Sequence, residues 1–312
     1  MMKIITLTLN PAFDIHCYLK EFIPFSENLA DIISNDAGGK GVNISRALSN
    51  SGIKNLAYVL VGSENKDAFL QKLKFDNIDY KAFEVLGRIR ENITLHTESQ
   101  PETRISFSGF SADESVIDRL KSELLAENLE DSIITFTGRV PDGIDIEYVK
   151  EFLIFLKSKG AKLVIDSRSF LVSDILDVAP WLIKPNEEEI KMYSDIEIKD
   201  EKTACEAAKA LKNQGIENVI ISLGGNGAVL SCDEGVYFAK APEISVVSTI
   251  GAGDSMIAGF IGSYINVQSY KEAFKTAVAY GSAACMTEGT KPPDETDIKN
   301  LFNDISVVLY KN

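Results

Sequence analysis

The sequence predicts an α/β fold with a mostly parallel central sheet covered by helices on both faces. Three observations predict it. Short β-branched runs alternate with amphipathic stretches along the chain, the amphipathic stretches carry apolar residues at helical spacing, and glycines fall where those helices should stop. Strands that alternate with helices pair in parallel, and such sheets bind ligands beyond the carboxyl ends of their strands.

In chain order, strands are expected at Ile4–Leu9, Ala57–Val61, Ile133–Thr137, Leu163–Ile165, Leu182–Ile183 and Val219–Leu223. Helices are expected at Ile146–Ser158, Ala204–Gln214 and Ser255–Tyr264, with Gly52, Gly160 and Gly215 as stop signals. Two segments break the rhythm. Phe13–Ile33 and Arg88–Phe110 show short alternating runs with polar loops and no helix, for example Ile93, Leu95, Thr97 and then Arg104, Ile105, Ser106, Phe107. They are expected to pair as a small antiparallel sheet, a lid formed by about 13–33 and 88–110 within one domain spanning 1–312. An extra edge hairpin on the main sheet is the plainer alternative.

Composition narrows the function mainly by exclusion. At 312 residues, 34.2 kDa, 45% hydrophobic and a mean hydropathy of zero, the chain suits a globular enzyme with a large core. No apolar run approaches the roughly 18–20 residues that span a bilayer. The opening MMKIITLTLNPAFD reads as a first strand without a cleavage signature. Cys17, Cys205, Cys232 and Cys285 are scattered without a CxxC pair, so buried, reduced thiols in a cytoplasmic protein are expected, with no structural zinc. A net charge of −14 lacks the basic footprint of a nucleic-acid binder. An anionic substrate must then be held by a few placed cations and backbone N–H groups, against the global field. The two histidines, His16 and His96, are too few for a metal cage or a triad.

The most informative segment is STIGAGDS at 248–255, running into the apolar stretch MIAGFIGSYI. A glycine-rich turn opening a helix presents free N–H groups and the positive end of the helix dipole, which suits charge developing on a transferred phosphoryl group. Asp254 in the first turn can take a proton from an attacking hydroxyl, although an aspartate there also serves as an ordinary cap. SLGGNG at 222–227 follows a β-run and precedes another, so it is either a close backbone approach to a nucleotide or a plain hairpin. It is not a Walker A loop, because no Gly-Lys-Ser/Thr follows. In KPNEEE at 184–189, Asn186 and Glu189 fall three apart at a helix start, hard oxygen donors suited to Mg²⁺ through water.

The amino-terminal half carries the polyol side. Asp14 ends the segment NPAFD and can accept from a pair of sugar hydroxyls. In AGGKGVN at 37–43, Gly38 and Gly39 let backbone approach a small polyol. Lys40 offers a point charge to a phosphate, and Asn43 offers both a donor and an acceptor; the alternative is a tight loop capped by Asn43. Arg88, Arg90, Asn92, Arg104 and Arg139 cluster around one sheet edge as phosphate anchors.

Taken in order, TLNPAFD, GGKGVN, the turn at 138–143, KPNEEE, SLGGNG and STIGAGDS resemble the ribokinase-like carbohydrate kinases, in particular their phosphofructokinase B branch. The likeness covers nearly the whole chain. It implies a ribokinase-like three-layer sandwich with a small β-sheet lid, ATP and Mg²⁺ as cofactors, K⁺ as an activator near Ser248 and Ile250, and a homodimer formed through the lid. It also implies roles. Asp254 is the base, and the N–H groups of Gly251, Ala252 and Gly253 form the anion hole. Asp14, Gly38, Gly39, Lys40, Asn43, Arg90 and Arg139 bind substrate. Lys184, Asn186, Ser222, Gly225, Gly227, Thr249 and Gly253 line the nucleotide site, while Asn186 and Glu189 organise Mg²⁺ through water. TLNPAFD with Arg90 and Asn92 is most similar to the members that act on fructose 1-phosphate and tagatose 6-phosphate. The implied reaction is ATP-dependent phosphorylation of a ketohexose phosphate, fructose 1-phosphate first, with tagatose 6-phosphate and fructose 6-phosphate as alternatives. Two departures bear on that order: Thr-Gly-Arg-Val-Pro replaces the family's usual Ser-Gly-Ser-Leu-Pro, and Thr94 stands where close members carry lysine. A non-catalytic sugar-phosphate sensor would be marked by a damaged GAGD, which is intact. A dinucleotide-dependent oxidoreductase would need a GxGxxG after the first strand, which is missing.

Overall fold

The computed structural model describes residues 2–310. The strands and helices, in order, are β1 (Ile4–Thr8), β2 (Ala12–Tyr18), β3 (Asp31–Gly38), α1 (Lys40–Asn50), β4 (Leu56–Gly62), α2 (Lys66–Phe75), β5 (Tyr80–Val85), β6 (Arg90–His96) and β7 (Thr103–Ser106). Then come α3 (Ser115–Leu125), β8 (Ile133–Thr137), α4 (Ile146–Ser158), β9 (Lys162–Asp166), α5 (Val172–Val178), β10 (Leu182–Ile183) and α6 (Glu201–Asn213). The chain continues with β11 (Asn218–Ser222), β12 (Ala228–Cys232), β13 (Gly235–Ala239), α7 (Ala252–Val267), α8 (Tyr270–Ala284), α9 (Glu295–Asp304) and β14 (Val307–Leu309).

Ten strands form the main sheet in the order β14-β13-β12-β11-β10-β9-β8-β1-β4-β5. From β5 to β11 every pairing is parallel; β12, β13 and β14 then add antiparallel at one edge. Strands buried on both faces must be apolar at nearly every position, and β1 and β8 are buried throughout. Successive residues feed opposite cores. Ile134 and Phe136 of β8 meet a core filled from α2 to α6, whereas Ile133 meets one filled from α1, α7, α8 and α9. The result is the three-layer arrangement expected. The helix stops also hold: Gly52, Gly160 and Gly215 adopt φ of 70°, 89° and 112°, the left-handed region that costs glycine least. Among the described residues no helix is long and apolar enough to cross a membrane, and all four cysteines are unpaired, three of them buried and Cys285 only partly so.

The two irregular segments form their own four-stranded sheet, in the order β3-β2-β6-β7. It is separate from the main sheet, so the edge-hairpin reading does not hold. Neither does the antiparallel expectation, because β2 and β6 pair in parallel, Asp14 opposite Asn92, between two antiparallel hairpins. Alternation marks a strand and its faces but carries no information about direction. A β-bulge between His16 and Cys17 shifts the β2–β3 register. The core of this sheet is small, consisting of Cys17, Leu19 and Leu95 with a few half-buried neighbours.

Candidate active site

A cavity of about 490 Å³ opens where β1, β8, β9 and β10 end, roofed by the small sheet. Its floor is the start of α7. Gly251 caps that helix at φ 79°, and the first-turn N–H groups of a helix lack intrahelical partners. Gly251 and Gly253 line this space, Ala252 lines the adjoining one, and the Ala252 N–H makes only a long 3.4 Å bond to Thr249.

Asp254 sits in the first turn, 6% exposed. Burial pushes its carboxyl up to about 6; Lys40 opposes the shift, Asp166 adds to it, and the Asn43 hydrogen bond and Lys184 oppose it. A carboxylate that is ionised at neutral pH yet readily protonated is poised to accept a proton. Asn43 Nδ2 donates to Asp254 Oδ2 at 2.9 Å. Asn43 does not cap α1, since its N–H bonds Gly39 inside the helix. Asn43 lines the cavity, and its amide also bonds Asp254 and Arg46.

The small sheet supplies the opposite wall. Asp14 Oδ1 accepts from Asn92 Nδ2 at 2.7 Å across the β2–β6 register, with Arg104 Nη2 at 3.5 Å. Gly38 does not line the cavity but makes room for Asp14, since a Cβ there would lie 2.0 Å from Asp14 Oδ2. Arg90, Arg104 and Arg139 line one side together, and Arg88 instead pairs with Glu91 away from it. Burial depresses the Arg90 guanidinium, Asp14 opposes this, and the charges of Arg139 and Arg104 depress it further. Arg90 feels Arg139 and Arg104 as well as Asp14, so this wall carries an excess of positive charge suited to a dianion. The polar atoms agree. Among the described residues, buried side-chain atoms without a partner include Thr8 Oγ1, Asn10 Oδ1, Arg90 Nε, Thr137 Oγ1 and Thr290 Oγ1, and all five residues line this cavity. Buried orphans of this kind mark places where a polar ligand or water pairs.

Lys40 lines the cavity with its ammonium already paired, 2.8 Å from Asp166 Oδ1 and 4.0 Å from Glu189. Burial works against its charge, but Asp166 and Asp254 more than offset this and raise its pKa. Asp166 and Arg168 also line the cavity, and neither was singled out from sequence. The available signal was an aspartate at the carboxyl end of the run Leu163–Ile165. Burial disfavours the charged form of Asp166, yet Lys184 and Lys40 hold it below the usual carboxylate range.

Lys184, Asn186, Thr249 and Gly253 are shared with a second cavity of about 380 Å³, which Ser222, Gly225 and Gly227 also line. The β11–β12 turn is therefore both the hairpin and the cavity wall. Asn186 and Glu189 do not begin an α-helix. Glu189 opens a short 3₁₀ turn, Glu189–Met192, and Asn186 precedes it, Glu189 N–H donating to Asn186 Oδ1 at 2.8 Å and Asn186 N–H to Glu189 Oε2 at 3.2 Å. Glu189 Oε1 also takes Arg168 Nε at 2.9 Å. Among the described residues no cluster of three or more acidic, histidine or cysteine side chains could close around a metal. Mg²⁺ retains several waters and takes one or two carboxylates plus substrate phosphates, so this donor set fits it only through water.

Two joined cavities, one polar and cationic, the other walled by glycines, with a buried carboxylate at a helix start between them, define a phosphotransferase built on an α/β sandwich. Comparison with known proteins gives the family. The profile of the pfkB family carbohydrate kinases matches residues 8–297. The chain is 33% identical to the 1-phosphofructokinase of Escherichia coli strain K12 over 283 residues, 90% of each chain. It is 32% identical to that of Haemophilus influenzae over 312 residues, 100% of each. The phosphofructokinase-2 of Escherichia coli shares the fold at 24% identity, covering 97% of this chain and 99% of the other. The TM-score is 0.90 for its complex with fructose-6-phosphate and 0.89 for its complex with potassium. The chain belongs to the pfkB family of carbohydrate kinases, and it transfers a phosphoryl group to a sugar hydroxyl. Family membership implies the use of ATP and Mg²⁺.

Proposed function

We propose that this enzyme phosphorylates fructose 1-phosphate with ATP to give fructose 1,6-bisphosphate, acting as one kinase domain with the small sheet as its lid. The observation that carries this reading is a single cavity lined by Asp254, by three arginines and by five residues with unpartnered polar atoms. The relatives named 1-phosphofructokinase support the choice of phosphosugar.

In this reading Asp14 accepts from sugar hydroxyls, and Arg90, Arg104 and Arg139 hold the phosphate already present. Asp254 takes the proton of the attacking hydroxyl, and the N–H groups at the start of α7 receive the charge that develops on the phosphoryl oxygens. Lys40 and Lys184 lie on the transfer side, one 2.8 Å and the other 3.8 Å from Asp166, and hold positive charge there. Ser222, Gly225, Gly227 and Thr249 wall the nucleotide. Asn186 and Glu189 would hold Mg²⁺ through water, and bound Mg²⁺ would neutralise charge on the ATP phosphates. K⁺ activation enters by analogy with the potassium complex of the fold relative. The unpaired cysteines support a cytoplasmic location, to be checked by fractionation. The outer face of the lid supports a homodimer: Ile32, Ile33, Ile105 and Phe107 are 67%, 51%, 43% and 50% exposed. Sedimentation should give a species of twice the chain mass, and Phe107→Glu should shift it toward one chain. A wild-type monomer at micromolar concentration would end the dimer reading.

The test of function is ATP consumption with Mg²⁺ on fructose 1-phosphate, tagatose 6-phosphate and fructose 6-phosphate, with and without K⁺. Saturable turnover with the highest kcat/KM on fructose 1-phosphate is expected, faster with K⁺. A higher kcat/KM on either of the others would reassign the substrate, and equal rates without K⁺ would remove the activator.

A further inference from the structure

We propose that Arg46 is a positioning residue for the transfer reaction, fixing the Asn43 side chain so that its N–H, and not its carbonyl, faces Asp254, and tying that arrangement to the root of the small sheet. The inference rests on the reading of Asp254 as the base.

Arg46 lies one turn after Asn43 on α1 and is 6% exposed. Each of its three nitrogens has a different duty. Nε donates to Asp76 Oδ2 at 2.8 Å, at the end of α2. Nη1 donates to Asn43 Oδ1 at 3.0 Å. Nη2 donates to the backbone carbonyl of Ala37 in β3, two residues before the Gly39 cap of α1.

A guanidinium carries donors only. It can therefore meet only the oxygen end of the Asn43 amide, which leaves Nδ2 to point at Asp254 Oδ2, 2.9 Å away. Without that constraint the amide could turn its oxygen toward the carboxylate, replacing a donor with a repelling acceptor. The other charged groups acting on Asp254 are Lys40, Lys184 and Asp166, none of which determines how the amide is turned. The competing explanation is that Arg46 is only a buried ion pair with Asp76. That pair uses Nε alone, and the two remaining nitrogens go to the base network and to β3.

Arg46→Lys keeps the positive charge but cannot serve three acceptors on three elements. In the full-length protein with fructose 1-phosphate and MgATP, kcat should fall about tenfold. The acid limb of kcat/KM should move up by about one pH unit, with KM for ATP unchanged. Asp76→Asn breaks the ion pair and spares the Arg46–Asn43 bond, so it should lower Tm without moving that limb. In an Asn43→Ala background, Arg46→Lys should move the limb no further. If Arg46→Lys and Asp76→Asn lower Tm alike and neither moves the limb, Arg46 is structural only. Should Arg46→Lys fail to fold, NMR of the wild-type Asn43 side-chain amide decides. Its protons should follow the titration of Asp254, and shifts indifferent to Asp254→Asn would overturn the proposal. Asp254→Asn with near-normal turnover would instead remove the base assignment, an outcome that the amide orientation seen by NMR does not affect.

Discussion

Asp254 is subject to two opposed demands, burial and ionisation. Its folded carboxyl titrates near 6, above the ordinary aspartate value of about 3.9. The folded state therefore binds the proton more tightly than the unfolded one, and stability is lost as pH rises between those two values. At pH 8 the full penalty applies, on the order of 3 kcal/mol. Asp254→Asn should thus lose turnover by about 10²–10⁴-fold and yet melt several degrees higher than wild type at pH 8. The Tm difference should vanish near pH 4. Retained turnover would dismiss the base, and an unchanged Tm at pH 8 would dismiss the penalty. The sequence made Asp254 legible because glycines and an aspartate at a helix start form a local pattern. It left Arg46 invisible, since an arginine three residues after Asn43 on a helix looks like surface, and its three partners come from separate parts of the chain.

At the scale of the element, the strand ends decide the site. β9 delivers Asp166 for the same reason that β1 leads to Asn10, since carboxyl ends of parallel strands meet at one edge. The strand and its direction were readable, and the charge at its tip was the part overlooked. The small sheet was readable as strands but not as a topology, because the parallel β2–β6 pairing depends on residues about eighty positions apart. That pairing sets Asp14 beside Asn92, and Gly38 closes the third side. Gly38→Ala puts a methyl group against the Asp14 carboxylate without demanding an unusual backbone. KM for the sugar phosphate should rise about tenfold or more while KM for ATP stays put. Equal changes in both would mean that the substitution disturbs the fold rather than Asp14.

Across the whole molecule, a pair of histidines in the small sheet, on β2 and β6, sits where that sheet meets the loop after α8. His16 Nδ1 lies 2.8 Å from His96 Nε2, the rings stack with centroids 5.1 Å apart, and His96 Nδ1 is 3.2 Å from Glu102. The edge of His16 rests on Gly289, beside the Thr290 that packs against Gly251. Two histidines are too few in the sequence for a metal cage or a triad, and in the structure they form a seam. One ring must donate and the other accept, so a doubly protonated pair loses this bond. Burial, then His96, lowers the His16 pKa, against Asp14, Asp36 and Glu102. A histidine whose folded pKa is depressed costs stability as pH falls below about 6.5. His16→Gln should flatten the decline of Tm between pH 7 and pH 5 relative to wild type; an unaltered slope would show that the seam does not titrate.

The parallel pairing of β2 with β6 also fixes an order of assembly. β2 emerges early in synthesis, but its partner emerges only after β3, α1, β4, α2 and β5 have been made, and β1 must wait for β8 to gain its second neighbour. With so little core of its own, the small sheet cannot register ahead of the main one. The wall proposed to hold the sugar is therefore completed late, on a scaffold already in place, and it should be the first part of the native protein to exchange its amide hydrogens.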